Sequence, residues 1–448
     1  MDTKQLPRRV PASRQTASAL FLRVELGAEG SSYDEVLPYF LKGEDNGEID
    51  DVGTAYHATG GPMSVERFPY QPPFAAAILN ASVEAGFGVS EDLNGAHFTG
   101  FTIGQASNKK GVRRSNAAAY LRPIRHRSNL HISLNTTVTR VLIENNATYG
   151  VEYYKDGEMS TVNVSREVVL SAGALKTPFI LKHSGIVPKE ELENFDITVV
   201  KDLPGVGENF HDHPTFPVSF TLNDLDEYDD SWAVAAEYLT FRTGPLSSTG
   251  LTQVVGVLPN NDTTDEWPNV QLNPAGYQSG CAPGEIDALK SSGKRSVSIS
   301  VGWQHPVSRG NITLRSSNVT DKPVFWGNFL GEQEDVDGLV SGVNLALKLA
   351  ETDALKAWNL TLSTTTLSGC ADYDYPSDEY WACAVKYDTA FGHHYCGTAK
   401  MGNSSDSMAV VDPQLRVSGI SGLRLADASV MPQVTSNNIA APVMMIEE

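Results

Sequence analysis

The 448-residue sequence contains no apolar run approaching the roughly 18–20 residues that a bilayer-spanning helix requires; runs such as Phe74–Leu79 are the size of a core segment. A secretory leader is also missing. Basic Pro7-Arg8-Arg9 is followed by Ala19–Leu26, which is short and interrupted by Arg23 and Glu25. Cysteine is scarce: Cys281, Cys370, Cys383 and Cys396, none of them in a CxxC pair, which argues against zinc and thioredoxin-like chemistry. Basic charge is short too. Against 54 acids stand 34 bases, a net charge of −20, which argues against nucleic acid or an anionic membrane as partner. Internal repeats and low-complexity tracts are absent.

What is present is ordinary globular composition, 41% hydrophobic and 20% charged, in a chain long enough for two domains. Nine Asn-x-Ser/Thr sequons occur, at Asn80, Asn135, Asn146, Asn163, Asn261, Asn311, Asn318, Asn359 and Asn403. Roughly four would arise by chance, so the excess points to a secreted glycoprotein. The spacing of Cys370 and Cys383 allows a bridge from a loop to the following helix in an oxidising compartment.

Along the chain, helical spacing follows Ser31-Ser32 over Tyr33–Leu41, and further helices are predicted over Pro72–Ala85 and Asn116–Ile124. The period then changes. Leu130–Leu134, Val138–Ile143 and Gly150–Tyr154 read as strands, punctuated by Asn145-Asn146 and Lys155-Asp156-Gly157. Arg166–Leu170 is a strand running through Ser171-Ala172-Gly173 into a helix over Leu175–His183, the layout of a nucleotide-binding α/β layer. From about 212 to 388, strands such as Ser296–Val301 and Ile312–Leu314 mix with helices over Trp232–Leu239, Glu332–Glu351 and Asp378–Val385. The long helix carries Val336, Leu339, Val343 and Leu347 at three- and four-residue steps. Strand Leu423–Ala426 and helix Ile439–Glu448 close the chain.

Two clusters carry chemistry. In His393-His394-Tyr395-Cys396-Gly397 an imidazole beside a glycine turn can accept an alcohol proton, since histidine ionises near neutrality. In Leu423-Arg424-Leu425-Ala426-Asp427-Ala428, a strand ends in a carboxylate that either accepts from the hydroxyls of a ligand or caps a turn. Asn438 precedes the last helix at its expected N-cap, with Pro442 in the first turn. That helix end carries partial positive charge, which favours a negatively charged group beside it.

These clusters together resemble the C-terminal signature of the glucose–methanol–choline (GMC) oxidoreductases. Gly111-Val112-Arg113-Arg114-Ser115, Ser171-Ala172-Gly173-Ala174-Leu175 and Leu203-Pro204-Gly205-Val206-Gly207-Glu208-Asn209-Phe210-His211-Asp212-His213 are similar to further blocks of that family. Tyr33–Asn46 and Asp378–Cys383 resemble its arthropod glucose-dehydrogenase-like branch. The resemblance runs from about residue 24 to the end. It implies an α/β fold in which an FAD-binding Rossmann-like domain, here incomplete, is interleaved with an α+β substrate domain on an antiparallel sheet. The implied divisions are a divergent segment 1–30, a mixed segment 31–110, an FAD-domain part 111–211, a substrate domain 212–390 and a C-terminal FAD-domain part 391–448.

The resemblance also implies site residues. His394 removes a hydroxyl proton while hydride passes to flavin N5, and Asn438 holds the substrate oxygen. Val138, Ala172, Gly173, Asp427, Ala428, Asn438 and Ile439 approach FAD, with glycine and alanine permitting close passage. The donor is then an alcohol or sugar and the acceptor oxygen or a quinone. His393 is expected to be structural, as are His211 and His213, with no metal bound.

One expected feature is missing. No strand–GxGxxG–helix unit with an acidic residue about 20 positions on is found; Gly205-x-Gly207 lacks a third glycine. A pyrophosphate normally rests on those backbone N–H groups. Both ends are therefore expected to be cut short. A flavin-free, non-catalytic fragment and a cyanohydrin lyase on the same scaffold remain as alternatives.

Overall fold

The computed structural model describes residues 30, 32–192, 195–222, 231–260, 268–277 and 294–448. Cys281, the Asn261 sequon and most of the segment 1–30 lie outside the described residues. Among the described residues, no helix is long and apolar enough to cross a membrane.

A seven-stranded antiparallel sheet forms the larger half. Its order is Thr361–Leu362, Pro214–Leu222, Arg295–Trp303, Val270–Ala275, Val254–Leu258, Gly100–Ile103, with Ala390–Phe391 also pairing with Pro214–Leu222. The 18-residue helix Gln333–Ala350 packs on this sheet through Val336, Leu339, Val343 and Ala346, all fully buried. Two glycines set the close approach. A Cβ on Gly338 would lie 2.5 Å from the Trp303 ring, and one on Gly342 2.3 Å from Val301 Cγ1. Buried Asp335 fixes the helix start, accepting from Trp303 Nε1 at 3.2 Å and from the backbone N–H groups of Val307 and Ser308 at 2.8 and 2.9 Å. Helix Asp378–Asp388 adds Tyr380, Trp381, Ala384 and Val385 to the same core, and Cys370 and Cys383 are disulfide-bonded beside it.

The second core gathers around a short parallel pair, Val168–Leu170 with Leu423–Leu425. A three-stranded antiparallel sheet, Thr136–Glu144, Ala147–Lys155 and Glu158–Asn163, precedes it. From Leu170 the chain turns into helix Gly173–His183, as the strand–turn–helix pattern predicts. Helix Tyr33–Gly43 starts on a capping box between Ser32 and Glu35. Its Val36 enters this core, and Lys42 pairs with Glu448 at the end of the last helix, Ala440–Glu447.

Two sequence expectations fail. Leu130–Leu134 forms no strand; Ile132 and Leu134 are 49% and 73% exposed. Alternating apolar residues become a strand only when a neighbouring edge takes their hydrogen bonds and a layer covers their face. Among the described residues neither is provided. The predicted helix Asn116–Ile124 is a π-helical stretch, Ala117–Leu121, joined to a short turn, Arg122–Ile124. Arg122 N–H bonds back to the Ala117 carbonyl, and Pro123 has no N–H to continue a regular ladder.

Candidate active site

Register brings the first cluster into place. Pro214 and Thr215 lie opposite Phe391 and Ala390, and Gly392 N–H donates to the His213 carbonyl at 2.8 Å. His393 and His394 therefore leave the sheet edge beside His213. Asp212 locks this corner. Its carboxylate accepts backbone N–H bonds from His213 at 2.7 Å, His393 at 3.0 Å and His394 at 2.7 Å. Burial raises the Asp212 carboxyl to about 6, against the pull of those three N–H groups.

Beyond His394 the chain zips onto the second cluster. Gly397, Ala399 and Met401 N–H groups donate to the carbonyls of Ala428, Ser429 and Val430. Ala426 N–H donates to the Leu170 carbonyl, which carries the strand pairing to the strand–helix turn. Asp427 is shared between both turns: it accepts from Gly173 N–H at 2.9 Å, Thr177 Oγ1 at 2.5 Å and Ser429 N–H at 2.7 Å. Its capping role is thus built in, and Ala428 opens the 3-10 turn that follows.

The last segment is anchored separately. His211 Nδ1–H donates to the Asn209 carbonyl, so its Nε2 accepts, taking Val434 N–H at 2.9 Å. Asn437 N–H donates to Gln304 Oε1 at 2.6 Å, and Ser436 Oγ meets His305 Nε2 at 2.9 Å. The N-cap of helix Ala440–Glu447 is buried Ile439, not Asn438 as expected. Asn437 turns through φ +63°, so the helix starts one residue later. The Asn438 amide is not spent on a cap, and its Nδ2 reaches His394 Nε2 at 3.3 Å. Two side chains 44 positions apart thus meet at one point.

His394 is half-buried, and burial, then the charge of neighbouring His393, push its pKa down to about 4. The ring is neutral at physiological pH. His393 is exposed and interacts with the Tyr395 hydroxyl instead.

His211 and His213, expected to be structural, are both buried. His213 Nδ1 lies 2.9 Å from His394 Nδ1. Sequence reasoning missed this partner and Asp212. The one available signal was the His-Asp-His spacing, which places a carboxylate between two rings. Val138, by contrast, lies partly buried on its own strand, with no hydrogen bond to this cluster.

The residues at the junction fit a flavin cofactor. Gly173 has φ +78°, and a Cβ there would meet nothing within 4 Å, so backbone faces open space beside exposed Ala172. Ser429 Oγ, Thr435 Oγ1 and Asn437 Oδ1 are buried without a protein partner, a set suited to a polar ligand. The glycine-rich turn that usually holds a pyrophosphate is not among the described residues.

The GMC oxidoreductase family profile matches residues 23–215 and 306–446. Glucose dehydrogenase [FAD, quinone] of Drosophila melanogaster is 44% identical over 94% of this chain and 68% of its own length. Mitochondrial choline dehydrogenase of Mus musculus is 34% identical over 94% and 69%. The fold is shared with pyridoxine 4-oxidase from Mesorbium loti (TM-score 0.78, 24% identity, covering 98% of this chain and 80% of that one). It is shared equally with an FAD-dependent oxidoreductase from Chaetomium thermophilum (TM-score 0.82, 21% identity, 98% and 82%). The chain belongs to the GMC oxidoreductase family, with FAD as its cofactor and a CH–OH group as its electron donor.

Proposed function

We propose that His394 and Asn438 are the reacting pair of this oxidoreductase, with a sugar or related alcohol as donor and a quinone as acceptor. The observation that carries the reading is the 3.3 Å approach of Asn438 Nδ2 to His394 Nε2. A donor hydroxyl entering between them finds an imidazole lone pair to take its proton and an amide N–H to hold its oxygen. His394 can take that proton because burial keeps the ring neutral. Bound FAD supplies the hydride acceptor. Ala172 and Gly173 would hold the cofactor by close backbone approach, Asp427 and Ala428 by their turn, Val138 by its backbone, and Asn438 and Ile439 by the last helix's N-terminus.

The sugar and the quinone rest on the insect glucose dehydrogenase, which is named for both. Secretion is supported by the sequon excess and by the Cys370–Cys383 disulfide. We divide the chain into FAD-domain parts over 111–211 and 391–448 and a substrate domain over 212–390. The strand Gly100–Ile103, from the mixed segment 31–110, completes the substrate sheet.

The test is anaerobic titration of the purified flavoprotein. Glucose should bleach its flavin absorbance, and a benzoquinone should restore it. A yellow protein that no sugar or alcohol bleaches, or a colourless one, would overturn the reading.

A further inference from the structure

A neutral histidine can serve as a base through Nε2 only if its own proton sits on Nδ1. In His394 the group facing Nδ1 is not a carboxylate or a carbonyl but a second imidazole. His213 Nδ1 lies 2.9 Å away, with the rings edge-to-face at 80° and their centroids 5.0 Å apart. Two neutral imidazoles at that distance share one hydrogen, so one ring donates and the other accepts.

The contact on the far side of the ring decides which. Asn438 Nδ2 lies 3.3 Å from His394 Nε2, so Nε2 meets an amide N–H with its lone pair. The shared hydrogen is then on His394 Nδ1. The hydrogen of the His213 ring is left on its Nε2, which is buried without a protein partner.

We propose that His213 is a positioning residue that fixes the tautomer of His394, accepting its Nδ1–H and so directing the Nε2 lone pair at the donor hydroxyl. Three structural features hold the acceptor in place. The residue is 1% exposed, its backbone N–H is bound by Asp212, and its carbonyl takes Gly392 N–H across the strand pair. Burial, and then the nearby rings of His394, His305 and His211, hold His213 far below its ordinary pKa, so it remains a neutral acceptor. A neutral orienter differs from a carboxylate in consequence. It fixes the ring without stabilising an imidazolium, so the proton His394 gains is readily passed on. The proposal rests on the reading of His394 as base, yet the tautomer can be observed without turnover.

The experiment uses the FAD-loaded protein with 15N-labelled histidine. Long-range proton–nitrogen correlation spectra distinguish a protonated from a bare ring nitrogen, and the His394 signals are those lost in His394→Gln. The expected result is a protonated Nδ1 and a bare Nε2 in His394 of the unaltered protein. A protonated Nε2 would overturn the proposal. His213→Leu removes the acceptor, whereas His213→Asn keeps an oxygen acceptor near the Nδ1 position. With flavin content matched, the limiting rate of flavin reduction should fall about 10–100-fold in His213→Leu, with little change in KM, and largely recover in His213→Asn. Equal losses in both variants would assign His213 a packing role alone. If His394→Ala reduces flavin at the normal rate while His394 carries Nδ1–H, the base assignment fails and the tautomer lock survives.

Discussion

His57 offers a quantitative test of the segment that precedes the FAD-domain blocks. Its side chain is 6% exposed and bridges two carboxylates: Nδ1 lies 3.0 Å from Glu44 Oε1, and Nε2 lies 3.2 Å from Asp92 Oδ2. Both nitrogens donate only in the imidazolium. Burial alone would lower its pKa, but the hydrogen bonds to Asp92 and Glu44 outweigh that and raise it to about 9. The interval from 6.5 to about 9 corresponds to roughly 3 kcal/mol. Solvent reaches both carboxylates, so about 2 kcal/mol is the more realistic figure after screening. Because the folded pKa is raised, this stabilisation is complete below pH 6.5 and is lost as pH climbs through about 9. His57→Gln keeps the volume and one hydrogen bond but never the charge. Hydrogen exchange of peptides spanning 44–66, corrected for the intrinsic rate, should show the variant opening about 2 kcal/mol more easily at pH 6. The two proteins should converge near pH 10. An equal gap at both pH values would refute the charge argument and leave only packing.

Gly342→Val puts atoms where Val301 Cγ1 already lies 2.3 Å from the ideal Cβ, so the helix must lift from the sheet. We expect a loss of at least about 2–3 kcal/mol by urea denaturation, and a loss below about 0.5 kcal/mol would contradict the packing argument. Replacing Cys370 and Cys383 together by serine opens a loop of sequence separation 13, which should cost about 2–3 kcal/mol in the same assay. An unchanged midpoint would mean that helix Asp378–Asp388 holds its place by packing through Tyr380 and Trp381 alone.

Legibility in the sequence followed the range of the interactions concerned. Helix Gln333–Ala350 announced itself through Val336, Leu339 and Val343, because helical periodicity is local. The glycines that let it approach Trp303 did not, since their reason lies on another strand. Leu130–Leu134 shows the reverse: a strand-like alternation that lacks a neighbour stays irregular. The pairing of His394 with Asn438 was reached through resemblance rather than periodicity, since nothing local links positions 44 apart. The His213 contact spans 181 positions and depends on the strand pairing at Pro214 and Phe391, which no local pattern encodes. The Asn438 cap was misplaced by one residue, because the left-handed turn at Asn437 is a backbone choice that asparagine permits without dictating.

The most direct measurement of the central claim is anaerobic stopped-flow reduction of the bound flavin by saturating glucose, in the unaltered protein and in His394→Ala with matched flavin content. A lost general base predicts a limiting rate lower by about 10²–10⁴-fold. A limiting rate within threefold of the unaltered protein would show that the hydroxyl proton leaves by another route and that His394 is not the base.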